Sequence, residues 1–367
     1  MLNTPRTYFL PLDALRGIAS AAILYFHTFW LYGLPTNAHG YLVVDFFFLL
    51  SGFVITHCYQ QQMADRSLDL PRFFSIRLTR LYPLYLLGFA IAVAHYLLTT
   101  AFHRRSDTNL MALGFELFLL PSVYAARRTA LFNDNNPAWS LFYELLANLF
   151  HILFFRDLSK VKLGISLAVS FVLYVYFCFL FGPDYGAKPG PGGFVLCGAF
   201  RVLFPYLAGV TLYRIWEKRK HAIPRLSFFL MALPLVLLNF VPAMQAHIAD
   251  VFFAVFNVAL LFPAIILLGA NSTFPSAWKM PMKIMGELSY PIYILHFPFI
   301  GIFLQTLNNL LPAWLTPPWE GILVLLSFIP FAFLASRRYD IPLRQAIQRK
   351  LLAFRSTEAL QSRVQVS

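Results

Sequence analysis

The 367-residue sequence predicts an all-α polytopic membrane protein with about ten transmembrane helices, and three observations support this fold class. Hydrophobic residues make up 59% of the chain and charged residues only 12%, whereas a soluble domain carries about 25% charged residues. The apolar residues come in runs of roughly twenty, the length that a helix needs to cross ~30 Å of hydrocarbon. The basic residues, which give a formal net charge of +13, lie in short clusters between these runs.

The number of spans depends on the fourth of eleven apolar segments. These segments cover approximately residues 9–33, 40–58, 79–100, 110–124, 139–155, 163–182, 194–215, 226–242, 249–270, 284–307 and 320–336. The fourth is short and contains Glu116 and Pro121, so a re-entrant or interfacial position is the alternative to a span. Ten spans then remain, with the large basic clusters and both termini in the cytoplasm, as the positive-inside rule requires. The basic residues predicted outside are Arg104, Arg105, Arg127, Arg128 and Lys188.

Charge and cysteine content exclude several classes of partner. Because the basic clusters follow the pattern of cytoplasmic loops, we expect no nucleic-acid partner. Cys58, Cys178 and Cys197 lack the spacing of metal ligands and predict neither a disulfide framework nor a metal site. The N-terminus lacks a cleavable signal pattern, so we expect the first apolar segment to be retained. The expected organisation is one membrane domain, residues 1–336, and a short basic cytoplasmic tail, residues 337–367; the oligomeric state stays open.

The first apolar segment contains both Arg16 and His27. A charge at the middle of a bilayer costs at least ~2.5–3.5 kcal/mol, so such residues usually serve a function. Eleven residues make almost three helical turns, which places both side chains on one face, ~16 Å apart along the axis. This spacing favours a polar cavity across much of the bilayer. The alternative is that Arg16 extends to the inner interface and His27 only bonds a neighbouring helix.

Two carboxylates are predicted near the depth of His27. Asp45 lies one turn into the second segment, ahead of the small pair Ser51-Gly52, and Glu144 lies one and a half turns into the fifth. A carboxylate beside a histidine fixes its tautomer and stabilises the imidazolium, as a general base requires. The sequence leaves open which of the two has this role, and an ordinary helix-start position is the alternative for Asp45.

Helical spacing also places two further sets of polar residues on common helix faces. Arg77 and Arg80 lie one turn apart just before the third span, and paired guanidinium groups suit a phosphate-bearing ligand. Generic positive-inside charge or contact with anionic lipid is the alternative for this pair. Tyr290, Tyr293 and His296 recur every three residues, and we assign this ridge to hydrogen bonding between helices.

Taken together, these stretches resemble the acyltransferase type 3 family from Leu12 to about Arg344. The matching motifs are "LDALRGIA" followed by His27, "VVDFFFLLSGF" (43–53), "RLTR" (77–80) with Pro83 and Tyr85, "WSLFYE" (139–144), "LSYPIYILHFP" (288–298) and "RRYDIPLR" (337–344). Three positions depart from the family pattern. Val44 replaces a usual Gly, Leu145 replaces a second Glu, and Asp340 replaces a Glu. We assign no chemistry to these three.

The resemblance implies a membrane-bound transferase that moves an acyl group, usually acetyl, from cytoplasmic acyl-CoA to a hydroxyl of a carbohydrate or glycolipid. Exported polysaccharides are typical acceptors, and the bacterial inner membrane is the expected location. Arg77 and Arg80 would bind the donor phosphates, and Arg16 would contact the pantetheine arm or the thioester carbonyl. His27 would take the proton from the acceptor hydroxyl, oriented by one of the two carboxylates. Direct transfer is expected because no Ser or Cys stands out as a nucleophile; an acyl-histidine intermediate is the alternative.

A proton-coupled transporter or a lipid-linked saccharide flippase is the rival class, because it also needs ionisable groups inside the membrane. Internal repeats and helices broken at matching positions of two halves would favour it, and we find neither in the sequence. An inactive relative that only binds a partner is a third alternative. The presence of Arg16, His27 and Glu144 argues against it.

Overall fold

The computed structural model describes residues 8–31, 39–101, 110–122, 130–132, 135–187, 197–219, 227–242, 244, 246–303 and 319–351. These residues form helices joined by turns, and they contain no β-strand, so the helical fold class is confirmed. A helix satisfies its own backbone hydrogen bonds, which is what the absence of water in hydrocarbon demands. The basic residues predicted outside the membrane all lie beyond the described ranges.

Twelve α-helices follow one another in this part of the chain. They are α1 (Leu10–Leu31), α2 (Val43–Ala64), α3 (Leu70–Ala101), α4 (Leu110–Leu117), α5 (Ala138–Phe150), α6 (Lys160–Phe181), α7 (Cys197–Arg219), α8 (Phe228–Leu237), α9 (His247–Phe256), α10 (Phe262–Asn271), α11 (Ser276–Ile302) and α12 (Trp319–Leu334). π-Helical turns extend α5 (His151–Phe155), join α9 to α10 (Asn257–Leu261) and follow α12 (Ala335–Asp340). A 3-10 turn, Gly40–Leu42, leads into α2.

Six helical stretches are long and apolar enough to cross a membrane, which makes this an integral membrane protein. They are Gly40–Ala64, Leu70–Leu98, Ala138–Phe155, Lys160–Phe181, His247–Asn271 and Trp319–Leu351. In the most apolar window of Gly40–Ala64, 67% of the residues are buried, against 22% for Lys160–Phe181, so α2 is central and α6 peripheral. Helices α1, α7 and α11 have similar lengths but carry embedded charged or polar groups. Ten spans with both termini in the cytoplasm therefore stay a prediction.

The short fourth segment forms only the eight-residue helix α4, about 12 Å long, which is too short to cross ~30 Å of hydrocarbon. The direction of α1 and α11 supports the same count. Arg16 contacts Ser289, and His27, later in α1, contacts His296, later in α11. The two helices thus run parallel, which requires an odd number of crossings between them.

Glycines let the central helices approach closely. Helix α1 packs along α11 and α2 packs along α7. A Cβ atom on Gly17 would collide with the backbone of Met285, and one on Gly52 would collide with the carbonyl of Tyr206. The small pair Ser51-Gly52 therefore lets α2 approach the backbone of α7. These contacts set the spacing at which polar side chains of α1 and α11, and of α2 and α7, meet.

The helix that contains α12 continues past the predicted domain boundary. Ala335–Asp340 forms a π-helical turn that packs on α3 and α11, and the helix then runs to Leu351. Asp340 is buried in this turn and bonds Arg344 at 2.7 Å. The described part of the predicted tail is thus helical, and the boundary at residue 336 stays a prediction.

Candidate active site

Two adjoining cavities lie between α1, α2, α3 and α11 and share Arg16, Leu50, Val54, Arg80 and Tyr290 as lining residues. We call the first the deep cavity; it has an empty volume of about 790 Å³. Its other polar lining residues are Ser20, Ser51, Arg77, Ser140, Glu144, Ser289 and Tyr293. The second, the vestibule, has an empty volume of about 1530 Å³. Its other polar lining residues are Tyr8, Asp13, His57, Cys58, Glu287, Ser336, Asp340, Arg344 and Gln348.

Arg16 lies at the junction of the two cavities. Its Nε donates to Ser289 Oγ at 2.7 Å, and its Nη2 donates to the carbonyl of Gly286 at 3.0 Å. Nη2 also pairs with Asp13 Oδ1, 3.0 Å away and one turn earlier in α1. These bonds hold the guanidinium against α11 and, among the residues that the structure describes, leave Nη1 as the remaining donor. A side chain that is anchored this way can contact a ligand without first being ordered.

Arg77 and Glu144 form an ion pair inside the deep cavity, with 2.5 Å between Nη2 and Oε1. Ser51 Oγ donates to the same carboxylate oxygen at 2.7 Å. The side chain of Arg77 is only 6% exposed, whereas that of Glu144 is 22% exposed. Sequence analysis placed Arg77 at the cytoplasmic mouth and Glu144 at the level of His27. The structure instead brings the two to one depth.

The start of α5 explains this difference. Asn135 Nδ2 donates to the carbonyl of Ile294 in α11 at 3.0 Å, and Asn135 is 2% exposed. Ser140, in the first turn of α5, bonds the hydroxyl of Tyr293 at 2.6 Å. Helix α5 therefore begins inside the bundle, not at its outer boundary. Its second turn consequently carries Glu144 to the level of Arg77.

Arg80 lies one turn after Arg77 on α3 and has a different environment. It lines both cavities, and its side chain is exposed. Within the described part of the chain, Arg80 makes no hydrogen bond and no ion pair, whereas Arg77 is bound to Glu144. Of the two arginines that we assigned to donor phosphates, Arg80 is thus the one whose charge is not already compensated by a bonded carboxylate.

Asp45 belongs to a separate, closed ion pair. Its two carboxylate oxygens accept hydrogen bonds from Arg201, at 3.1 Å from Nε and 2.7 Å from Nη2. Arg201 also donates to the carbonyls of Tyr185 and Tyr41 and lies over the ring of Trp139 at 5.4 Å. Both partners are at most 1% exposed. The structure thus engages Asp45 with α7, away from the histidine that it was predicted to orient.

The partner of His27 is a second histidine. His27 Nδ1 lies 2.9 Å from His296 Nε2, with 5.0 Å between the ring centroids and 23° between the ring planes. His296 is fully buried, and its Nδ1 donates to the carbonyl of Ile292 at 3.0 Å. Sequence analysis counted His296 only in a hydrogen-bonding ridge. A role near the site could have been inferred from its spacing, because His296 follows Tyr293 by three residues in α11 and Tyr293 lines the deep cavity.

The predicted ridge on α11 does bond neighbouring helices. Tyr290 donates to the carbonyl of Leu81 in α3 at 2.5 Å, Tyr293 bonds Ser140 in α5, and His296 bonds His27 in α1. This assignment is confirmed. Helix α11 thus forms hydrogen bonds with residues of α3, α5 and α1.

His27 lines neither cavity, but the deep cavity ends close to it. Tyr293 lines that cavity, and its ring centroid is 6.3 Å from that of His296. Phe47 packs edge-on against Tyr293, with 5.2 Å between centroids. The histidine pair is therefore separated from the deep cavity by the side chain of Tyr293. The structure thus brings four predicted residues to the cavities, namely Arg16, Arg77, Arg80 and Glu144. His27 lies outside the cavities, on the other side of the Tyr293 ring.

Comparison with known proteins shows the family. A model of the acyltransferase type 3 family, described as an acyltransferase domain, matches residues 10–337. The chain belongs to this family. It is an acyltransferase, and this membership decides against the transporter and flippase alternatives. No solved structure matches the chain.

Curated relatives are similar over different shares of the chain. "Protein 2 in picA locus" of Rhizobium radiobacter is 32% identical over 184 residues, 47% of this chain and 96% of that protein. "Peptidoglycan O-acetyltransferase OatA" of Listeria monocytogenes is 25% identical over 371 residues, 93% of this chain and 56% of that protein. "Putative acetyltransferase ORF330" of Acidianus two-tailed virus is 26% identical over 291 residues, covering 77% of this chain and 80% of that protein. The chain thus spans little more than half the length of the OatA protein.

Proposed function

We propose that this acyltransferase moves an acetyl group from cytoplasmic acetyl-CoA to a hydroxyl of a carbohydrate at the bacterial inner membrane. The acceptor would be an exported or cell-surface polysaccharide or a lipid-linked glycan. The observation that carries the proposal is the pair of adjoining cavities, with Arg16 and Arg80 at their junction and a histidine pair beyond the deeper one. The names of the O-acetyltransferase relatives support the acetyl group and the glycan acceptor.

The vestibule would hold the nucleotide end of the donor. Guanidinium groups bind phosphate oxygens through two parallel hydrogen bonds, and Arg80 has no bonded carboxylate among the described residues. Arg344 lines the same cavity, and its Nε is buried without a partner in this part of the chain. Both groups can therefore bond a phosphate-bearing ligand.

Arg16 would contact the pantetheine arm. It cannot act on the same atoms as His27, because eleven residues of helix separate them by ~16 Å along the axis. A general base must lie within hydrogen-bond reach of the proton that it takes. A cavity that runs from the vestibule toward Tyr293 suits a long donor whose thioester reaches the histidine pair. Movement of the Tyr293 side chain would open the path from the deep cavity to the histidine pair.

Arg77 would also face the donor, although the deep cavity places it away from the phosphates. Its Nε is buried and has no hydrogen-bond partner within the described residues. Amide carbonyls of a bound pantetheine arm offer the acceptor that this donor lacks. Glu144 compensates the charge of Arg77 and accepts from Ser51, so it would keep the guanidinium in place.

In the proposed reaction, His27 takes the proton of the acceptor hydroxyl as the oxygen attacks the thioester carbon. A tetrahedral intermediate forms and collapses with cleavage of the carbon–sulfur bond. The leaving thiolate of CoA takes the proton from the imidazolium, which restores His27 and yields the O-acetyl product. The alternative is a two-step route, in which His27 attacks the thioester carbon and releases CoA as a thiolate. The acceptor hydroxyl then displaces the imidazole from the acetyl group, and its proton goes to the thiolate.

The first test uses Cys58, which lines the vestibule and is partly exposed. We expect CoA to slow alkylation of Cys58 by a maleimide several-fold in detergent-solubilised protein, because the nucleotide would cover the thiol. Cys178 and Cys197 are buried and serve as internal controls in the peptide mass spectrum. Arg80→Gln should weaken this protection.

Transfer is then measured with radiolabelled acetyl-CoA and a glycan extract. His27→Ala should retain the protection of Cys58 by CoA but lose acetyl transfer. If millimolar CoA leaves alkylation of Cys58 unchanged and wild-type protein transfers no acetyl group, the proposed function is refuted.

A further inference from the structure

The hydrogen bonds of His296 determine which nitrogen of His27 carries the proton. A backbone carbonyl only accepts, so His296 Nδ1, 3.0 Å from the carbonyl of Ile292, must carry a hydrogen. In neutral His296, Nε2 then holds the lone pair. His27 Nδ1, 2.9 Å from that lone pair, must donate to it. The neutral form of His27 consequently has its own lone pair on Nε2.

The opposite tautomer is disfavoured by burial. If His296 carried its hydrogen on Nε2, the lone pair of Nδ1 would face the carbonyl oxygen of Ile292 across 3.0 Å. Two acceptors in contact repel each other, and a buried polar group without a donor loses its hydrogen bond outright. His296 is 0% exposed, so the solvent cannot relieve this contact.

The carboxylates of the two acidic residues predicted to orient His27 are bonded elsewhere. Asp45 bonds Arg201, and Glu144 bonds Arg77 and Ser51. His27 is nevertheless held in position, because its ring bonds His296 at 2.9 Å and packs against Phe297 with 5.6 Å between centroids. Both contacts come from α11, the helix that packs along α1.

We propose that His296 is a positioning residue of the transfer reaction, which holds His27 in the tautomer whose Nε2 is the general base. This inference rests on the proposed function. When Nε2 takes the proton of the acceptor hydroxyl, Nδ1–H of the imidazolium continues to donate to His296. That hydrogen bond becomes charge-assisted and therefore stronger. A neutral imidazole thus does for His27 what a carboxylate does for the histidine of a Ser-His-Asp triad.

Two substitutions of His296 separate positioning from packing. In His296→Gln, the amide oxygen can accept from His27 Nδ1 at the place of Nε2, so we expect kcat within about 10-fold of wild type. In His296→Leu, the imidazole acceptor of Nδ1 is removed, and kcat should fall by about 10²–10⁴-fold, the range of general-base catalysis. The KM for acetyl-CoA and the protection of Cys58 by CoA should change in neither variant, because the vestibule is untouched.

His151→Leu is the matched control for loss of a buried histidine. His151 is 0% exposed and bonds the hydroxyl of Tyr206 at 3.1 Å, outside both cavities. Its replacement should not lower kcat selectively. Equal losses of kcat in His296→Gln and His296→Leu, in protein of wild-type thermal stability, would overturn the inference. So would wild-type kcat in His296→Leu.

A spectroscopic measurement tests the tautomer without any substrate. The chain has nine histidines, and solid-state ¹⁵N NMR of histidine-labelled protein, with His27→Gln for assignment, reports which nitrogen of His27 is protonated. We expect hydrogen on Nδ1 in neutral His27 and a shift of that tautomer in His296→Leu. Hydrogen on Nε2 in wild-type protein would refute the inference while acetyl transfer still stands. Loss of the proposed function would appear separately, as failure of wild-type protein to bind CoA and to transfer acetyl.

Discussion

Two arginine–carboxylate pairs among the described residues, Arg201–Asp45 and Arg77–Glu144, differ in what they leave unsatisfied. In the pair of Arg201 and Asp45, all three guanidinium nitrogens and both carboxylate oxygens make hydrogen bonds, and neither side chain is more than 1% exposed. In the pair of Arg77 and Glu144, a single carboxylate oxygen accepts from two donors, and Arg77 Nε has no partner among the described residues.

This difference distinguishes an ion pair that only stabilises the fold from one that can also bind a ligand. In the closed pair, every guanidinium nitrogen and both carboxylate oxygens are already bonded and buried, so a ligand cannot reach them, and the pair holds α2 against α7. An open pair that lines a cavity retains donors that a ligand can bond. The two carboxylates look alike in the sequence, because Asp45 and Glu144 each lie inside an apolar segment. The following predictions test this division.

Asp45→Asn should have the largest effect, on stability. It leaves the guanidinium of Arg201 buried without a compensating charge, and breaking a buried ion pair costs about 3–5 kcal/mol of unfolding free energy. Thermal unfolding in detergent and the yield of monodisperse protein measure this loss. If Asp45→Asn instead kept wild-type stability and lost acetyl transfer, Asp45 would have the catalytic role that the sequence suggested.

Gly52→Ala should have the next largest effect on stability, because the ion pair of Arg201 and Asp45 depends on the close approach of α2 to α7. The added methyl group would collide with the carbonyl of Tyr206, and overpacking of this kind costs about 1–3 kcal/mol. Gly164→Ala is the control, since a Cβ there meets no other atom within 4 Å. Equal melting temperatures of the two variants would contradict the proposed packing of α2 on α7.

Glu144→Gln should lower turnover more than stability. The amide can still accept from Ser51, but it no longer neutralises Arg77, so the guanidinium loses its fixed position in the deep cavity. We expect kcat to fall at least about 10-fold, equivalent to ~1.4 kcal/mol, with a smaller loss of thermal stability than in Asp45→Asn. A variant as unstable as Asp45→Asn would show that the open pair is structural as well.

Arg344→Gln should have the smallest effect on transfer, at the nucleotide end of the donor, and it also removes the ion pair with Asp340. One charge-assisted hydrogen bond to phosphate is removed, so KM for acetyl-CoA should rise about 5- to 10-fold. The KM for acetyl-pantetheine, which lacks the nucleotide, should not change. Arg349→Gln removes an exposed charge from the same helix and serves as the control. Equal KM values for acetyl-CoA in the two variants would argue against the vestibule as the nucleotide site.

Much of the site could be read from local patterns. Arg16 was selected because a charged group is costly in hydrocarbon, Arg77 and Arg80 because of their one-turn spacing, and Glu144 because of its predicted depth. All four line one connected pair of cavities. Helical spacing could not supply the depth of Glu144, because that depends on the non-helical residues before α5, which are buried at Leu131, Phe132 and Asn135.

The helical fold and the membrane location follow from the sequence by itself, since the length and apolarity of each segment are local properties. The family motifs likewise identify the residue types that an acyl transfer needs. Which group each ionisable side chain bonds was decided by tertiary structure alone. Asp45 bonds Arg201 and His27 bonds His296 because α2 packs on α7 and α1 packs on α11. Those contacts join residues more than 150 positions apart in the chain, and no local pattern encodes them.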